Sequence, residues 1–468
     1  MLATHASTAS TILDASIFRA YDIRGIVGES LTEESVFLIG KSLGSLVLDS
    51  GETQMAVARD GRLSGPALSA ALCNGILSVG CDVVDVGMVP TPLLYYATTI
   101  LDQHSGVMLT GSHNPANYNG LKMVLKGKAL TSAEITGLYQ RIVEQQFHVG
   151  QGLLSHMDVV ASYIHEVVGD IKLARPLKVV LDSGNGVAGM MAAKLFKALG
   201  CEVHELFCDV DGHFPNHHPD PSQVENLHDL IQAVKETEAD VGLAFDGDGD
   251  RLGVITNQGD IIWPDRLLML YAKALLAKKP GAKIIYDVKC TNALEKIIRA
   301  CHGEPIMWKT GHSFIKAKML EIQAELAGEM SGHFFFKDRW HGFDDGLYAG
   351  ARLVEILSEQ AEDSASVFAA IPNSVNTPEL KVLVSEAEKF QLMERLIGEA
   401  KFVDPHEVMT IDGLRVNFAD GWGLVRPSNT TPYLILRFEA LNDVMLARIQ
   451  DMFREWMLSV KPDLVLPF

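Results

Sequence analysis

The sequence predicts an α/β protein built from several doubly wound domains, followed by a C-terminal segment of different character. Three stretches of the chain repeat one pattern, in which an apolar strand runs into a polar, glycine-containing loop and then into a helix. This alternation is typical of doubly wound sheets with helices on both faces. The 468 residues correspond to about three or four domains of roughly 150 residues each. We therefore expect three similar α/β domains and a β-rich segment after Pro372.

The composition is that of a folded protein with an acidic surface. Hydrophobic residues make up 47% of the chain and charged residues 21%, which supports sizeable cores. Lys and Arg total 40 and Asp and Glu total 59, a formal net charge of −19. Because phosphate backbones and anionic lipids attract basic surfaces, this balance argues against a nucleic-acid or membrane-surface protein. A small anionic substrate would need a local basic pocket.

The cysteines and the first residues indicate a cytoplasmic protein. The chain has 6 cysteines and no C-x-x-C pair, which is typical of reduced thiols in the cytosol. Residues 1–16 lack the basic start and apolar core of a secretory signal. No apolar run approaches the roughly 20 residues that span a membrane. We therefore expect a cytoplasmic location and no membrane partner.

The first segment predicts alternating helices and strands. These are expected at 33–48, 55–58, 66–79, 82–86 and 106–109. Arg24 precedes Gly25 and is therefore expected at a turn. Asn119-Gly120 has the pattern of a tight turn, after which extended structure is expected to resume.

The later segments repeat the alternation with different loops. Helices and strands are expected at 163–168, 178–182, 190–199, 202–207, 240–245, 265–278 and 283–286. Polar, glycine-punctuated loops follow at 309–313 and 328–333. The last segment carries β-compatible stretches and ends in a pattern typical of two helices.

A short polar stretch, Thr110-Gly111-Ser112-His113-Asn114-Pro115, follows the strand at 106–109. Open α/β sheets bind ligands at the carboxyl ends of strands, so Ser112 is expected in a tight loop with an exposed hydroxyl. The backbone N–H groups of such a loop can hold an anion. Adjacent Ser and His are a weak signal alone, and an ordinary Ser/Asn turn is the alternative.

A second stretch, Asp246-Gly247-Asp248-Gly249-Asp250-Arg251, follows the strand at 240–245. Three carboxylates this close repel one another unless a cation neutralises them, and oxygen ligands suit Mg²⁺ or Ca²⁺. An EF-hand is excluded, because Arg251 and Asn257 stand where that loop needs Gly and Glu. Three protein oxygens leave Mg²⁺ short of ligands, so a phosphoryl oxygen is expected to join them. A solvated acidic turn is the alternative.

A third stretch, Gly184-x-Gly186-x-x-Gly189, matches the dinucleotide-binding fingerprint, and Glu205 lies near the distance expected for a ribose contact. Close packing of a strand-to-helix turn requires the same glycines without any ligand. Basic residues that follow glycines or strands could together form a pocket for a phosphosugar. They are Arg24, Lys122, Arg251, Lys289, His312, His333 and Arg426.

Five motifs occur in an order that resembles the α-D-phosphohexomutase superfamily. They are Tyr21-Asp22-Ile23-Arg24-Gly25, the Ser112 loop, the stretch from Asp246 to Arg251, Gly328-Glu329-Met330-Ser331-Gly332-His333, and the stretch from Arg426 to Thr431. The chain is most similar to the bacterial phosphomannomutase/phosphoglucomutase branch, over nearly its whole length. The fourth motif, with Met330 after Glu329, resembles that branch rather than the glucosamine-phosphate branch.

The resemblance implies four domains around a central cleft, three of them α/β and the smaller last one an α+β domain like the TATA-binding protein. We expect the boundaries 1–157 for the domain with the serine loop, 158–259 for the metal loop, 260–372 for a sugar-binding loop and 373–468 for phosphate binding.

The resemblance also implies an isomerase that interconverts the 1- and 6-phosphates of mannose and glucose. The expected route runs through a phosphoserine and a hexose 1,6-bisphosphate, which is both intermediate and activator, with one Mg²⁺ per chain. Such an enzyme belongs to carbohydrate metabolism, in the synthesis of polysaccharide precursors, and is expected to be a monomer whose partner is a small phosphosugar.

By match to the motifs, Ser112 would be the phosphoserine and would ligate Mg²⁺ together with Asp246, Asp248 and Asp250. Arg24, His113, Lys122 and His333 would be catalytic, as groups that move protons or stabilise charge. Substrate binding is expected at Tyr21, Arg251, Lys289, Gly311, His312, Glu329, Ser331, Arg426, Ser428, Asn429 and Thr430. Within that set, Glu329 and Ser331 would hold sugar hydroxyls, and the residues from Arg426 to Thr430 would bind the non-reacting phosphate.

Three other functions stay open at this point. One is a phosphoglucosamine mutase of the same superfamily. The second is a nicotinamide-dependent oxidoreductase, which rests on Gly184, Gly186 and Gly189. The third is a protein that binds sugar phosphates without catalysis.

Overall fold

The computed structural model describes residues 13–385, 387–429 and 431–468. Within that part of the chain there are four β-sheets, of seven, five, four and six strands, which follow one another along the sequence. The first three sheets are mixed and carry helices, whereas the fourth is antiparallel. The predicted fold, three α/β units and a smaller C-terminal unit, is confirmed. We refer to the first, second, third and fourth units.

The first unit has the strand order β1-β5-β4-β2-β3-β7, with β6 paired to β5. Its strands are β1 Ile23–Ile26, β2 Gln54–Arg59, β3 Asp82–Met88, β4 Gly106–Leu109, β5 Tyr118–Leu125, β6 Lys128–Ala129 and β7 Leu154–His156. Its helices are α1 Glu33–Asp49, α2 Gly65–Leu77, α3 Thr91–Ile100 and α4 Ser132–Val143. Strands β2, β3, β4 and β7 run parallel, and β5 runs against both β4 and β1.

Helices α1 and α2 pack with their backbones in contact. A Cβ atom at Gly40 would lie 2.4 Å from the Leu72 carbonyl oxygen, and one at Gly75 would lie 2.2 Å from the Phe37 oxygen. These two glycines therefore allow an approach that any side chain would block. Helix α1 begins with a capping box in which Thr32 and Ser35 exchange hydrogen bonds, so its first N–H groups are satisfied.

Two turns predicted in this unit are wrong. Arg24 lies in β1 and Asn119-Gly120 lies in β5, and the strands pair Arg24 with Gly120 and Gly25 with Asn119. A Cβ atom at Gly120 would lie 2.2 Å from the Ile23 carbonyl oxygen, so the glycine serves a close strand approach. Asn119 is buried and donates a hydrogen bond to Ser64, 2.9 Å away.

The second unit has the strand order β12-β11-β10-β8-β9. Its strands are β8 Lys178–Asp182, β9 Glu202–Leu206, β10 Val241–Phe245, β11 Leu252–Thr256 and β12 Ile261–Ile262, and its helices are α5 Val160–Asp170, α6 Ala192–Ala198 and α7 His228–Thr237. All five residues of the central strand β10 are buried, which is why it reads as a continuous apolar run.

The third unit has the strand order β14-β13-β15-β16. Its strands are β13 Lys283–Asp287, β14 Glu304–Trp308, β15 Leu326–Gly328 and β16 Phe334–Phe336. Its helices are α8 Pro264–Lys278, α9 Asn292–Ala300, α10 His312–Ile322, α11 Gly346–Ser358 and α12 Ser364–Ala369.

The fourth unit is an antiparallel sheet in the order β17-β22-β21-β20-β19, with β18 also paired to β22. Its strands are β17 Val375–Asn376, β18 Leu380–Leu383, β19 Glu407–Met409, β20 Leu414–Phe418, β21 Gly421–Pro427 and β22 Tyr433–Ala440. Helices α13 Lys389–Gly398 and α14 Asp443–Val460 pack on it. The prediction of two helices at the end of the chain is therefore wrong. The chain ends in one continuous helix, α14, and α13 lies earlier, between β18 and β19.

One apolar core joins the first three units. Tyr96 from α3 contacts Tyr163 from α5 edge to face at 5.5 Å, and Trp340 of the third unit stacks on Tyr348 at 4.4 Å. Tyr163 also donates a hydrogen bond to the Asp345 carboxylate at 2.8 Å. The fourth unit keeps a core of its own. Every helix among the described residues is too short or too polar to cross a bilayer.

Candidate active site

All four units line one cleft of about 750 Å³. Most of the residues predicted for the site lie on its wall: Tyr21, Arg24, Ser112, His113, Lys122, Arg251, Lys289, Gly311, His312, Glu329, Ser331, His333, Arg426, Ser428 and Asn429. Asp246, Asp248 and Asp250 are fully buried directly behind Ser112. Thr430 lies outside the described residues. The chain therefore brings residues from near both of its ends, Tyr21 and Asn429 among them, to one place.

Ser112 occupies the loop at the carboxyl end of β4. Its Oγ donates a hydrogen bond to Asp246 Oδ2 at 3.1 Å and lies 3.1 Å from Nδ1 of His113. Its backbone is left-handed, with φ of 48°, which is unusual for a residue with a side chain. Thr110 Oγ1 accepts the Ser112 N–H at 2.8 Å, so the loop is held by its own side chains.

The three aspartates follow β10, and all three are fully buried. One carboxylate oxygen from each lies within 4.8 Å of the others. Lys122 Nζ bonds Asp248 Oδ2 at 2.7 Å and also reaches Asp250. Among the described atoms, Asp248 Oδ1 has no hydrogen-bond partner, and Asp250 Oδ1 lies 3.2 Å from His333 Nε2. A buried anionic oxygen without a donor fits a hard cation, and the all-oxygen donor set of the three aspartates suits Mg²⁺.

The electrostatics of this cluster are uneven. Burial, together with the charges of Asp248 and Asp250, raises the pKa of Asp246 well above its ordinary value. Burial also disfavours ionised Asp248 and Asp250, but Lys122 outweighs it and lowers the pKa of both. Lys122 therefore lies against two of the three carboxylates, and Arg251 Nε lies 3.8 Å from Oδ2 of the third, Asp246.

The two histidines nearest to the reacting centre differ in charge. Burial and the charge of Arg251 lower the pKa of His113 well below its ordinary value. Burial acts the same way on His333, but the nearby Asp250 raises its pKa to about 9. These opposite shifts in pKa favour the neutral imidazole at His113 and the protonated form at His333. Arg24 is paired with Asp22 at 2.7 Å and also contacts Asn114.

The third unit contributes a polar loop between β15 and β16. Glu329 Oε1 accepts the Gly311 N–H at 2.6 Å, and Ser331 Oγ lies 2.9 Å from His333 Nδ1. His312 stands edge to face against Tyr21 with ring centres 5.5 Å apart. These contacts hold hydroxyl, carboxylate and imidazole groups along one wall of the cleft.

Two acidic residues that the sequence analysis did not single out form ion pairs with basic residues that were predicted to bind the substrate. Lys289 Nζ lies 2.7 Å from Glu379 Oε1, and Arg426 Nε donates to Asp412 Oδ2 at 2.9 Å. The same Asp412 oxygen accepts the Thr310 N–H at 3.0 Å. Both acids belong to the fourth unit, whereas Lys289 and Thr310 belong to the third, so the contacts with these two residues could not be inferred from local sequence pattern.

Asp60 and Arg62 were also missed as site residues. They follow β2 as Ser112 follows β4, and they contact the serine loop directly. A signal was present, because Arg59-Asp60-Gly61-Arg62 is a charged, glycine-containing run at the carboxyl end of a predicted strand.

The glycine fingerprint at Gly184 to Gly189 serves packing. A Cβ atom at Gly189 would lie 2.1 Å from the Cys208 carbonyl oxygen, and one at Gly186 would lie 2.9 Å from Gly247 Cα. Glu205, the candidate ribose ligand, pairs with Lys197 at 2.7 Å. The loop is thus filled by protein atoms, which argues against the nicotinamide alternative.

Four family models match consecutive parts of the chain. The phosphoglucomutase/phosphomannomutase models for alpha/beta/alpha domains I, II and III match residues 15–149, 161–259 and 263–375, and the model for the C-terminal domain matches 379–455. Together they match most of the chain.

Individual proteins agree with these models. The chain is 54% identical over 456 residues to a phosphomannomutase/phosphoglucomutase of Pseudomonas putida, covering 97% of this chain and 98% of that protein. It is 52% identical over 455 residues to a phosphoglucomutase of Neisseria meningitidis serogroup A, covering 96% and 98%. A crystal structure of a phosphoglucomutase/phosphomannomutase family protein from Burkholderia thailandensis superimposes with a TM-score of 0.93 at 55% identity, covering 97% of this chain and all of that one.

Proposed function

Because the chain belongs to the phosphoglucomutase/phosphomannomutase family and is an isomerase acting on hexose phosphates, we propose that it interconverts the 1- and 6-phosphates of mannose and of glucose through phosphorylated Ser112. The observation that carries this proposal is the contact between Ser112 Oγ and Asp246 Oδ2, at 3.1 Å, beside the unpartnered Asp248 Oδ1. This contact places a nucleophile beside a cation site, in a cleft whose wall also carries basic side chains.

Mg²⁺ would be held by Asp246, Asp248 and Asp250 together with an oxygen on Ser112. When bound, Mg²⁺ would offset the negative charge that the transferring phosphoryl group carries. The fit rests on the all-oxygen donor set and on Asp248 Oδ1, which has no hydrogen-bond partner among the described atoms. We propose one such ion per chain.

The forward step moves a phosphoryl group from Ser112 to the substrate. A free sugar hydroxyl attacks the phosphorus and loses its proton, the bond to Ser112 Oγ breaks, and that oxygen takes up one proton, so the products are a hexose 1,6-bisphosphate and a free serine hydroxyl. Arg24, Lys122 and His333 surround the site with positive charge, which stabilises the transferring group. Most of the catalysis is therefore positioning and electrostatics.

The return step moves the other phosphoryl group back to Ser112. The serine hydroxyl attacks the phosphorus, and its proton passes to His113, whose Nδ1 lies 3.1 Å from Ser112 Oγ and whose pKa is lowered by burial. The bond from phosphorus to the sugar oxygen breaks, and that oxygen takes up one proton to leave as a hydroxyl. The bisphosphate must turn within the cleft between the two steps, and free bisphosphate would act as the activator that primes a bare enzyme.

The remote end of the substrate would be bound by the fourth unit. Arg426 has Nε occupied by Asp412, and no other hydrogen bond of its guanidinium is seen among the described residues, so its two Nη groups are available to a phosphate. Ser428, Asn429 and Thr430 would complete that phosphate site. Glu329 and Ser331 would hold the sugar hydroxyls, and the remaining contacts would come from Tyr21, Arg251, Lys289, Gly311 and His312.

The proposal also includes the domain boundaries 1–157, 158–259, 260–372 and 373–468, and an enzyme that is monomeric and cytoplasmic.

A coupled assay tests the activity: glucose 1-phosphate with added glucose 1,6-bisphosphate and Mg²⁺ should yield glucose 6-phosphate. Absence of turnover with binding intact would favour a protein that only binds sugar phosphates. Turnover of glucosamine phosphates in preference to glucose and mannose phosphates would favour the phosphoglucosamine branch.

A further inference from the structure

Arg62 binds the backbone of the serine loop from behind. Its side chain is only 1% exposed, and its guanidinium donates to four carbonyl oxygens of that loop. Nη2 reaches the carbonyls of Ser112 at 2.8 Å and Asn114 at 2.6 Å. Nη1 reaches those of Pro115 at 2.6 Å and Tyr118 at 2.9 Å. One side chain therefore fixes the backbone of the loop that carries the nucleophile.

Asp60 completes the attachment at the start of the loop. Its Oδ2 accepts hydrogen bonds from Thr110 Oγ1 at 2.7 Å, from the Gly111 N–H at 3.3 Å and from Arg62 Nε at 3.2 Å. Its Oδ1 accepts the Arg62 N–H at 3.0 Å. Asp60 and Arg62, both at the end of β2, thus hold the loop from Thr110 to Tyr118 through its polar backbone.

The loop needs such support because Ser112 adopts a left-handed backbone. A φ of 48° is strained for a residue with a Cβ atom, and such strain persists only where the surroundings enforce it. The Arg62 bond to the Ser112 carbonyl acts on the strained peptide itself. Without it, the loop could relax and turn the serine Oγ away from Asp246.

The contribution of Arg62 is geometric rather than a matter of net charge. Its charge is matched by the adjacent Asp60 carboxylate, and neither side chain is in contact with solvent. A guanidinium is a planar fork that can serve several acceptors at once, whereas a lysine ammonium cannot span the same four carbonyls. The second unit also contacts this group, because the guanidinium carbon of Arg62 lies 5.3 Å from the centre of the Phe214 ring.

We propose that Arg62 is a positioning residue for phosphoryl transfer, which sets the orientation of Ser112 through the loop carbonyls. This inference rests on the proposed function, because it assumes that Ser112 carries the transferred group. It predicts that loss of the fork slows the chemical step and leaves the binding of the substrate's remote phosphate unchanged. A displacement of about 1 Å at a reacting atom can cost roughly a hundredfold in rate.

The test compares Arg62→Gln and Arg62→Lys with the wild-type protein. Each is first phosphorylated with glucose 1,6-bisphosphate, and the transfer from Ser112 to glucose 1-phosphate is followed in a single turnover by rapid quench. We expect transfer to be about a hundredfold slower in Arg62→Gln and still at least about tenfold slower in Arg62→Lys, although lysine keeps the charge. The dissociation constant for glucose 1-phosphate on the unphosphorylated protein should stay within about threefold.

Arg59→Gln is the matched control, because Arg59 lies at the same strand end and its side chain donates only to the Asp60 carbonyl among the described atoms. It should transfer at the wild-type rate. A wild-type rate in a folded Arg62→Gln protein would overturn the proposal. So would equal losses of binding and transfer, which would indicate a general collapse of the cleft.

Gly111→Ala tests the same idea with Arg62 still present. A Cβ atom there would lie 2.4 Å from Arg62 Cζ and would push the guanidinium off its carbonyls. Transfer should fall by at least about tenfold, and adding Arg62→Lys should lower it by less than a further threefold or so, since both changes break one arrangement. Additive losses would contradict the proposal. If wild-type protein transfers nothing from Ser112, it is the proposed function that fails.

Discussion

Lys289 of the third unit and Glu379 of the fourth form an ion pair across the cleft, with Nζ 2.7 Å from Oε1. The lysine is almost fully buried, while about 35% of the glutamate side chain remains exposed. The pair connects a predicted substrate ligand to the unit that would bind the remote phosphate. It therefore links the third and fourth units at the wall of the cleft.

This pair predicts a pH dependence of stability. Partial burial disfavours ionised Glu379, but the charge of Lys289 outweighs it and lowers the pKa of Glu379 to about 2. Its ordinary value is 4.5, so the unfolded chain takes up the proton first as the pH falls. The stabilisation is complete above about pH 4.5 and is lost between there and about pH 2. Because solvent screens the pair, we expect it to add about 1 kcal/mol to the free energy of unfolding.

Urea unfolding at several pH values measures this contribution. The wild-type free energy of unfolding should fall more steeply toward low pH than that of Glu379→Gln. Glu295→Gln, which removes an exposed helix pair with Arg299, should keep the wild-type slope. Parallel curves for wild type and Glu379→Gln would show that the pair adds nothing.

Removal of one metal ligand should cost activity strongly. Asp248→Asn replaces an anionic oxygen in the buried triad, and a cation worth several kcal/mol to the transition state would then bind weakly. We expect kcat to fall by about a hundredfold or more and the Mg²⁺ requirement to rise. Asp211→Asn, an exposed change beside His213, is the control. Full activity of the wild type in excess chelator would refute the metal assignment.

Arg426 should be required for both directions of the reaction. A charged hydrogen bond contributes about 1.5–3 kcal/mol, so Arg426→Ala should raise KM by roughly ten- to a hundredfold for the 1-phosphate and for the 6-phosphate. Arg426→Lys should recover part of this, because it keeps the charge and loses the fork. Arg448→Ala, at an exposed pair with Asp420 in the same unit, should leave KM unchanged. An unchanged KM in Arg426→Ala would move the phosphate site elsewhere.

Glucose and mannose phosphates should be used with similar efficiency. In the proposed mechanism the intermediate would bind in two orientations, and among the matched motifs Glu329 and Ser331 would contact hydroxyls other than the one at C2. An unread hydroxyl gives no discrimination, so kcat/KM for glucose 1-phosphate and mannose 1-phosphate should agree within about tenfold, or about 1.4 kcal/mol. Glucosamine phosphates should be poor substrates. A preference beyond about a thousandfold would show that C2 is recognised.

Sequence pattern located the two central loops because each follows a buried strand. The apolar runs before Ser112 and Asp246 are β4 and β10, and ligand sites in such sheets lie where strands end. The same rule would have found Asp60 and Arg62, which follow β2. Glycine patterns were less informative, since Gly120 and Gly189 permit close backbone contacts that resemble turn and nucleotide signals in sequence.

The contacts between units could not be read from the sequence. Glu379 and Asp412 acquire their roles only because the fourth unit faces Lys289 and Thr310 of the third. Arg24 and Arg62 are separated from the loop they contact by about 50 to 90 positions, and no local period links them. The charge states of His113 and His333 likewise depend on burial and on neighbours from other units.

The phosphorylation of Ser112 tests the central claim most directly. Protein freed of phosphate is incubated with glucose 1,6-bisphosphate and Mg²⁺, and its intact mass and phosphopeptides are measured alongside the release of hexose monophosphate. The account predicts one phosphoryl group per chain on Ser112, its transfer to added glucose 1-phosphate, and neither event in Ser112→Ala. Active protein in which Ser112 stays unmodified throughout turnover would contradict it.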